Sequence, residues 1–192
     1  MSKKKIYFLV GIAFAFSIFV LIIFFKSSCY SGKKELEPAK EEAQEEVEKI
    51  EPIKVKMFFF KKDSRYMKPF QCEIRYFRIR QDVYKTFINK LLKGREGCVT
   101  PIPEGLELRS LFYVRKKKIL VIDFNEALLN KFPGGTSSEL EFIYYFVDNI
   151  CYNFKEIEEV KFLISGNEYK TISGHIDIEN PFYPDYRYLR DE

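Results

Sequence analysis

Residues 106–124 read LELRSLFYVRKKKILVIDF, and the fold turns on this stretch. Two runs rich in apolar, β-branched and aromatic residues, Leu106–Arg115 and Lys118–Phe124, flank a basic reversal at Arg115–Lys118. Side chains of that kind suit a pleated surface packed on a core, and a short polar break lets the second run return beside the first. The stretch therefore predicts a β-hairpin. Before it, Pro101 and Pro103 fix an extended, donor-poor entry.

Moving outward toward the N-terminus, Asp82 precedes a helical pattern over Val83–Lys93, in which Tyr84, Phe87, Ile88, Leu91 and Leu92 keep a 3.6 period. Gly94 follows, where a helix end favours a residue at ease with positive φ. Lys54–Phe60 (KVKMFFF) and Phe70–Arg80 (FQCEIRYFRIR) read as two strands joined by a basic loop. Toward the C-terminus, Pro133-Gly134-Gly135 breaks the chain, and Thr136 with Glu139 has the spacing of a capping box. Leu140, Ile143, Tyr144, Val147, Cys151 and Phe154 then line one face of a second helix. Val160–Ile164 is a short apolar strand, turned at Ser165-Gly166-Asn167, and the remaining tail reads as irregular or as one last edge strand. The order is ββαββαβ. Two helices laid on one mixed sheet would bury both apolar helix faces, so the expected class is α+β with a single mixed sheet.

The chain has 192 residues, room for one domain with appendages. Ile6–Phe25 is an uncharged run of 20 residues, about 30 Å as a helix and long enough to span the hydrocarbon core of a bilayer. Lys3, Lys4 and Lys5 before it favour a cytoplasmic N-terminus. The expected organisation is a stub at 1–5, a transmembrane helix at 6–25, a charged tether at 26–53 and a folded domain at 54–192, placed outside the cytoplasm. The alternative for the anchor is a lipoprotein signal with Cys29 as the lipidated residue, after the small pair Ser27-Ser28.

Thirty-two basic against 28 acidic residues leave a net charge of +4, too small and too scattered for a dedicated nucleic-acid binder. One histidine, four dispersed cysteines and no CxxC argue against a zinc centre or a His-based triad. No cofactor is expected. Asp123, at a strand end, reads as a capping carboxylate rather than a general base. His175 and Asp177, two apart in an extended stretch, could share one sheet face, and His175 reads as a hydrogen-bonded structural histidine rather than a catalytic or metal-binding one. Cys151 reads as an apolar filler, and a Cys72–Cys98 disulfide stays open. Phe142, Tyr145 and Phe146 fall opposite the apolar stripe of the second helix, so this helix is either sandwiched or presents a contact surface; a partner surface is the expectation. Arg75, Arg78 and Arg80, interleaved with Tyr76 and Phe77, are candidates for an anionic lipid or wall polymer.

An ordered set of fragments resembles the GerMN domain family, the sporulation and spore germination domain. They are KMFFFKK (57–62 with Lys56), LLKG (91–94), IPEGLEL (102–108), VIDFNEAL (121–128), VKFLISG (160–166) and SGHIDIENPF (173–182). The resemblance covers about Val55–Pro184. It implies structural roles for Gly94, Pro103, Gly105, Asp123, Gly166, Gly174, His175, Asp177 and Pro181. It also implies a non-enzymatic scaffold or adaptor in the cell envelope, working through envelope proteins or self-association, with a wall-polymer binding module as the alternative.

Overall fold

The computed structural model describes residues 51–190. The expected membrane segment, the stub, nearly all of the tether and Cys29 lie outside these residues. Among the described residues no helix is long and apolar enough to cross a membrane.

The hairpin at the centre of the sequence forms as expected: β3 (Leu108–Val114) and β4 (Ile119–Phe124) run antiparallel around a turn at Arg115–Lys118. β5 (Glu159–Ile164) joins β4 in parallel, which requires a crossover longer than a dozen residues. That crossover carries the short helix α2 (Ala127–Asn130) and the 18-residue helix α3 (Thr136–Asn153). β1 (Ile53–Phe60) and β2 (Met67–Ile74) pair antiparallel along all eight residues, and α1 (Arg80–Lys93) follows them.

The α+β class is as read, but the single mixed sheet is not. β1 and β2 form one sheet and β3-β4-β5 a second, mixed one. The reason is α3. It is buried almost all round, with Phe142, Ile143, Tyr145, Phe146, Val147 and Ile150 each fully buried. Phe142 and Phe146 pack against Phe124 and Phe162 of the three-stranded sheet. Tyr145 meets Phe59 and Phe60 of β1. The helix separates the two sheets, and an apolar helix surface on every side is what that position demands.

Two asparagines finish the job on β1. Asn149 accepts from the Phe58 N–H at 2.7 Å and donates to the Phe58 carbonyl at 3.0 Å. Asn153, one helical turn on, does the same for Lys56, at 2.9 and 2.8 Å. The i, i+4 spacing on the helix matches the i, i+2 spacing of outward-facing strand residues, so two side-chain amides imitate a neighbouring strand. Beyond them, Val99 donates to Phe60 and completes the edge. Pro69 is the register partner of Phe58, whose own amide faces away from β2. The missing N–H of Pro69 therefore falls on the outer edge, the one place in a sheet where it costs nothing.

Several local expectations change. Strand β2 ends at Ile74, so Arg75–Ile79 is loop and Arg80 opens α1. Asp82 lies in the first turn of α1 and does not cap it. Thr136 is the first residue of α3 and makes no cap; its expected box partner Glu139 is fully buried and turned elsewhere. Gly94 does end α1, with φ 69° and its N–H on the Leu91 carbonyl. A Cβ there would come within 3.1 Å of the Thr100 methyl, so the position is closed to larger residues on two counts.

Candidate functional site

The three-stranded sheet has a covered face and an open one. Leu120, Ile122 and Phe124 of β4 and Val160, Phe162 and Ile164 of β5 are fully buried beneath the helices. Their neighbours alternate to the other side, as a period of two requires. Register places Phe112, Val121 and Lys161 in one cross-strand row, and Val114, Ile119 and Glu159 in the next. Phe112 is 54% and Val114 39% exposed, while Ile119, Val121 and Leu163 are half-buried. The outer edge of β3 is also open: among the described residues, Arg109–Tyr113 make no backbone hydrogen bond outside the β3–β4 pairing. An edge strand with unpaired amides beside exposed apolar side chains is a template for another chain.

The expected contact surface on α3 is not available. Phe142, Tyr145 and Phe146 are fully buried, and the Tyr145 hydroxyl donates to the Leu91 carbonyl at 2.9 Å. Burial pushes that phenol well above its ordinary range. The Arg75–Arg80 group is split as well. Arg75 and Arg78 are exposed on the loop, but Arg80 binds Glu156 through two hydrogen bonds of 2.8 and 2.5 Å and lies over the rings of Tyr84 and Phe154. Glu156 also accepts from the Tyr84 hydroxyl at 2.8 Å. Partial burial works against the charge of Glu156, yet these hydrogen bonds outweigh it and hold its pKa below the usual range. Burial and the Glu156 hydrogen bond raise the Tyr84 phenol to about 12. Arg80 thus belongs to a structural triad at the α1 N-terminus.

The carboxylates singled out as chemistry are tied into the fold. Asp123 is buried, and its Oδ1 accepts from the Gly166 N–H at 2.8 Å. Its Oδ2 lies 3.4 Å from Arg109 Nη1 and from Ser110 Oγ. It fastens the turn after β5 to the hairpin instead of capping the turn that follows it. That next turn is held by Asn125, which donates to the Gly105 carbonyl and accepts from the Glu107 N–H. Gly105 and Gly166 take φ of 77° and 80°. Leu106 N–H closes the turn on the Pro103 carbonyl.

The hydrogen bond expected of the His175 side chain is absent among the described residues, to Asp177 or to any other group. The His175 side chain is exposed, and it is its backbone N–H that approaches Glu139, at 3.3 Å. Asp177 accepts from the Glu179 N–H at 2.8 Å, a local turn ahead of Pro181. The Glu139 carboxylate is the organising group here. It also accepts from the Ser173 N–H at 3.0 Å, from the Ser173 hydroxyl and from the Ile176 N–H at 2.8 Å, across the loop that contains Gly174. Cys72, Cys98 and Cys151 are free thiols. Cys72 is paired with Val55 and the neighbour of Cys98, Val99, with Phe60, five residues farther along β1. That separation is roughly 15 Å or more, far beyond disulfide reach. Cys151 is buried as expected, which raises its thiol to about 12. Among the described residues no group of three His, Cys, Asp or Glu is placed to hold a metal ion.

Phe112 and Val114 belong to the hairpin that was read correctly, but their significance was missed. The available signal was that β3 is apolar on both alternations: Leu111 and Tyr113 on one side, Phe112 and Val114 on the other.

Comparison with known proteins agrees with the geometry. No curated protein matches the sequence. The fold is similar to the tandem GerMN domains of the sporulation protein GerM from Bacillus subtilis, at 13% identity and a TM-score of 0.52, over 69% of this chain and 46% of that one. The chain therefore spans about half of the tandem structure. Against the first GerMN domain of the same protein alone, at 13% identity and a TM-score of 0.51, it covers 68% of this chain and 97% of the other. A candidate lipoprotein from Clostridium perfringens is also similar, at 20% identity, covering 70% of this chain and 89% of that one, with a TM-score of 0.49. Residues 56–170, more than half of the chain, match the family model Germane, described as sporulation and spore germination, and the chain belongs to that family.

Proposed function

We propose that the protein is a non-catalytic, membrane-anchored envelope component whose GerMN domain assembles with other protein chains through the open side of the three-stranded sheet. One observation carries this reading: Phe112 and Val114 stand exposed on an edge strand whose outer amides have no partner among the described residues. A partner strand laid along β3 would gain main-chain hydrogen bonds, and the apolar row Phe112–Val121 would supply side-chain contact. The Lys116, Lys117 and Lys118 turn at the end of that strand favours an acidic partner segment and guards against indiscriminate edge pairing. Ile6–Phe25 supports the anchor, and the acidic stretch after it would hold the domain away from an anionic bilayer surface.

Photo-crosslinking in native membranes tests the reading. A crosslinking residue placed at Phe112 is expected to capture a discrete protein species, and one placed at the buried Phe142 is not. Equal capture at an exposed position far from the sheet, such as Lys85, would remove the support.

A further inference from the structure

A second feature lies away from this sheet, where the C-terminal tail crosses the start of α3. Tyr188 accepts from the Met67 N–H at 2.6 Å through its carbonyl, and the Arg190 N–H donates to the Met67 carbonyl at 3.1 Å, so the tail runs beside the end of β2. Between them opens a groove of about 760 Å³, lined by Arg65, Tyr66, Arg187, Tyr188 and Arg190, with Ser137 and Glu141 from α3. That volume is within the range of small-ligand sites.

The charges of the groove are unevenly answered. Arg187 is held by Asp185 at 2.5 Å. Among the described residues the Arg190 guanidinium donates only to the backbone carbonyls of Arg187 and Leu189, and it lies over Tyr66 at 4.0 Å from the ring centroid. Arg65 has no hydrogen-bond or ion-pair partner among the described residues. Glu141 lines the groove but forms no ion pair there. Among the described residues, two guanidinium groups therefore line the groove without a carboxylate as ion-pair partner, although Glu141 lines it too, and one of them is held over an aromatic ring. Guanidinium presents a planar fork of donors that matches phosphate oxygens, and stacking fixes its plane before a ligand arrives. All the cations are arginine, which suits a chain of phosphate units or a phosphate head.

We propose that this groove binds a phosphodiester, with Arg65 and Arg190 as the main contacts and the rings of Tyr66 and Tyr188 flanking the ligand's carbon skeleton. The phosphodiester is supplied either by a glycerol-phosphate polymer or by an anionic lipid head. This site is independent of the β3 surface and does not rest on the assembly reading.

The test is calorimetric titration of the full-length chain in uncharged detergent micelles. The probes are a glycerol-phosphate oligomer, dihexanoyl-phosphatidylglycerol below its micelle concentration, and polyglutamate as a carboxylate polyanion. Saturable binding of either phosphate probe, weakened at least tenfold by Arg65→Gln and by Arg190→Gln but unchanged by Arg78→Gln, is the expected result. Whichever phosphate probe saturates identifies the source. Because Arg65 has no partner to lose, Arg65→Gln reports on binding even if Arg190→Gln loosens the tail. Absence of heat with both phosphate probes overturns the proposal, as does equal affinity for polyglutamate or an equal loss with Arg78→Gln.

Discussion

The edges of the two sheets are finished by different devices, and not all of them are finished. β1 would expose a row of amides, and the fold closes it with Asn149, Asn153 and Val99. β5 is closed by the tail, where Val160 and Phe182 exchange both backbone hydrogen bonds. β2 carries Pro69 toward its outer side and meets the tail at Met67. β3 keeps its outer edge without a backbone partner over Arg109–Tyr113 among the described residues, as β2 does over Gln71–Glu73, and β3 carries the most exposed phenylalanine of its sheet. Pro69 and the charged Glu73 guard the open run of β2, whereas that of β3 carries Phe112 and Val114, and an apolar open edge invites aggregation unless something pairs there. The comparison teaches that closure is local: each device is one or two residues, and each can be removed singly.

The largest effect is expected from Asn149→Ala. It strips both partners from Phe58, whose N–H and carbonyl are buried beside a fully buried ring. Each orphaned buried group costs about 1–3 kcal/mol, so the loss is about 3 kcal/mol or more. At this size that lowers the melting temperature by roughly 6–12 °C. Asn153→Ala, at a half-buried position, should cost less than half as much. A thermal melt in which the two variants are equal would show that the amide ladder is not what closes β1.

Asp148 tests the tail. Its Oδ1 accepts from the Asp185 N–H at 3.0 Å, while Oδ2 is buried without a partner among the described residues. Burial raises its pKa from 3.8 to about 6, against the pull of the backbone hydrogen bonds from Asp185 and Tyr186. A folded pKa above the unfolded one means that the folded state holds the proton more tightly. This contribution is therefore fully present below about pH 4 and is lost as pH rises through about 6. Asp148→Asn keeps an acceptor and removes the titration. Relative to the variant, the native chain should lose stability between pH 4 and 7, by no more than about 3 kcal/mol. A pH-independent difference between the two melts would refute the assignment.

Glu139→Gln should follow, at about 2 kcal/mol. An amide has one acceptor oxygen where the carboxylate serves three backbone N–H groups and a hydroxyl. Hydrogen exchange at Ser173–Ile176 should accelerate more than at β4. Uniform acceleration would mean that Glu139 supports the whole domain and not the loop alone.

Much of this was legible in the sequence, for identifiable reasons. The hairpin was, because a four-residue basic break between apolar runs leaves few other solutions. The end of α1 at Gly94 was, because φ 69° beside Thr100 admits little else. The two-sheet division was not, since strand order in the chain does not state which strands pair. The same gap misplaced Phe142, Tyr145 and Phe146. A 3.6 period identifies a helix but assumes a single buried face, and α3 is covered by one sheet on each side. The corrective signal was Asn149 and Asn153, polar residues one turn apart in an otherwise apolar helix. Glu139 was misread for a related reason: its spacing from Thr136 suits a cap, while its actual partners lie 34 to 37 residues away.

The smallest effect on stability is expected where the effect on assembly is greatest. Phe112 is 54% exposed and, among the described residues, packs against no other aromatic ring. Replacing it by Ser should change the melting temperature little, since exposed substitutions fall within about 0.5 kcal/mol. The same change removes the main apolar contact on the open edge, and apolar anchors at the centre of an interface carry most of its energy. Phe112→Ser should therefore abolish partner capture in native membranes while leaving the fold intact. Leu111→Pro removes an outward-facing edge N–H and keeps the Phe112 ring, so it tests strand pairing separately from side-chain docking. If capture survives both substitutions, β3 is a bare edge and not a docking site, and its contrast with the guarded edges has no functional meaning.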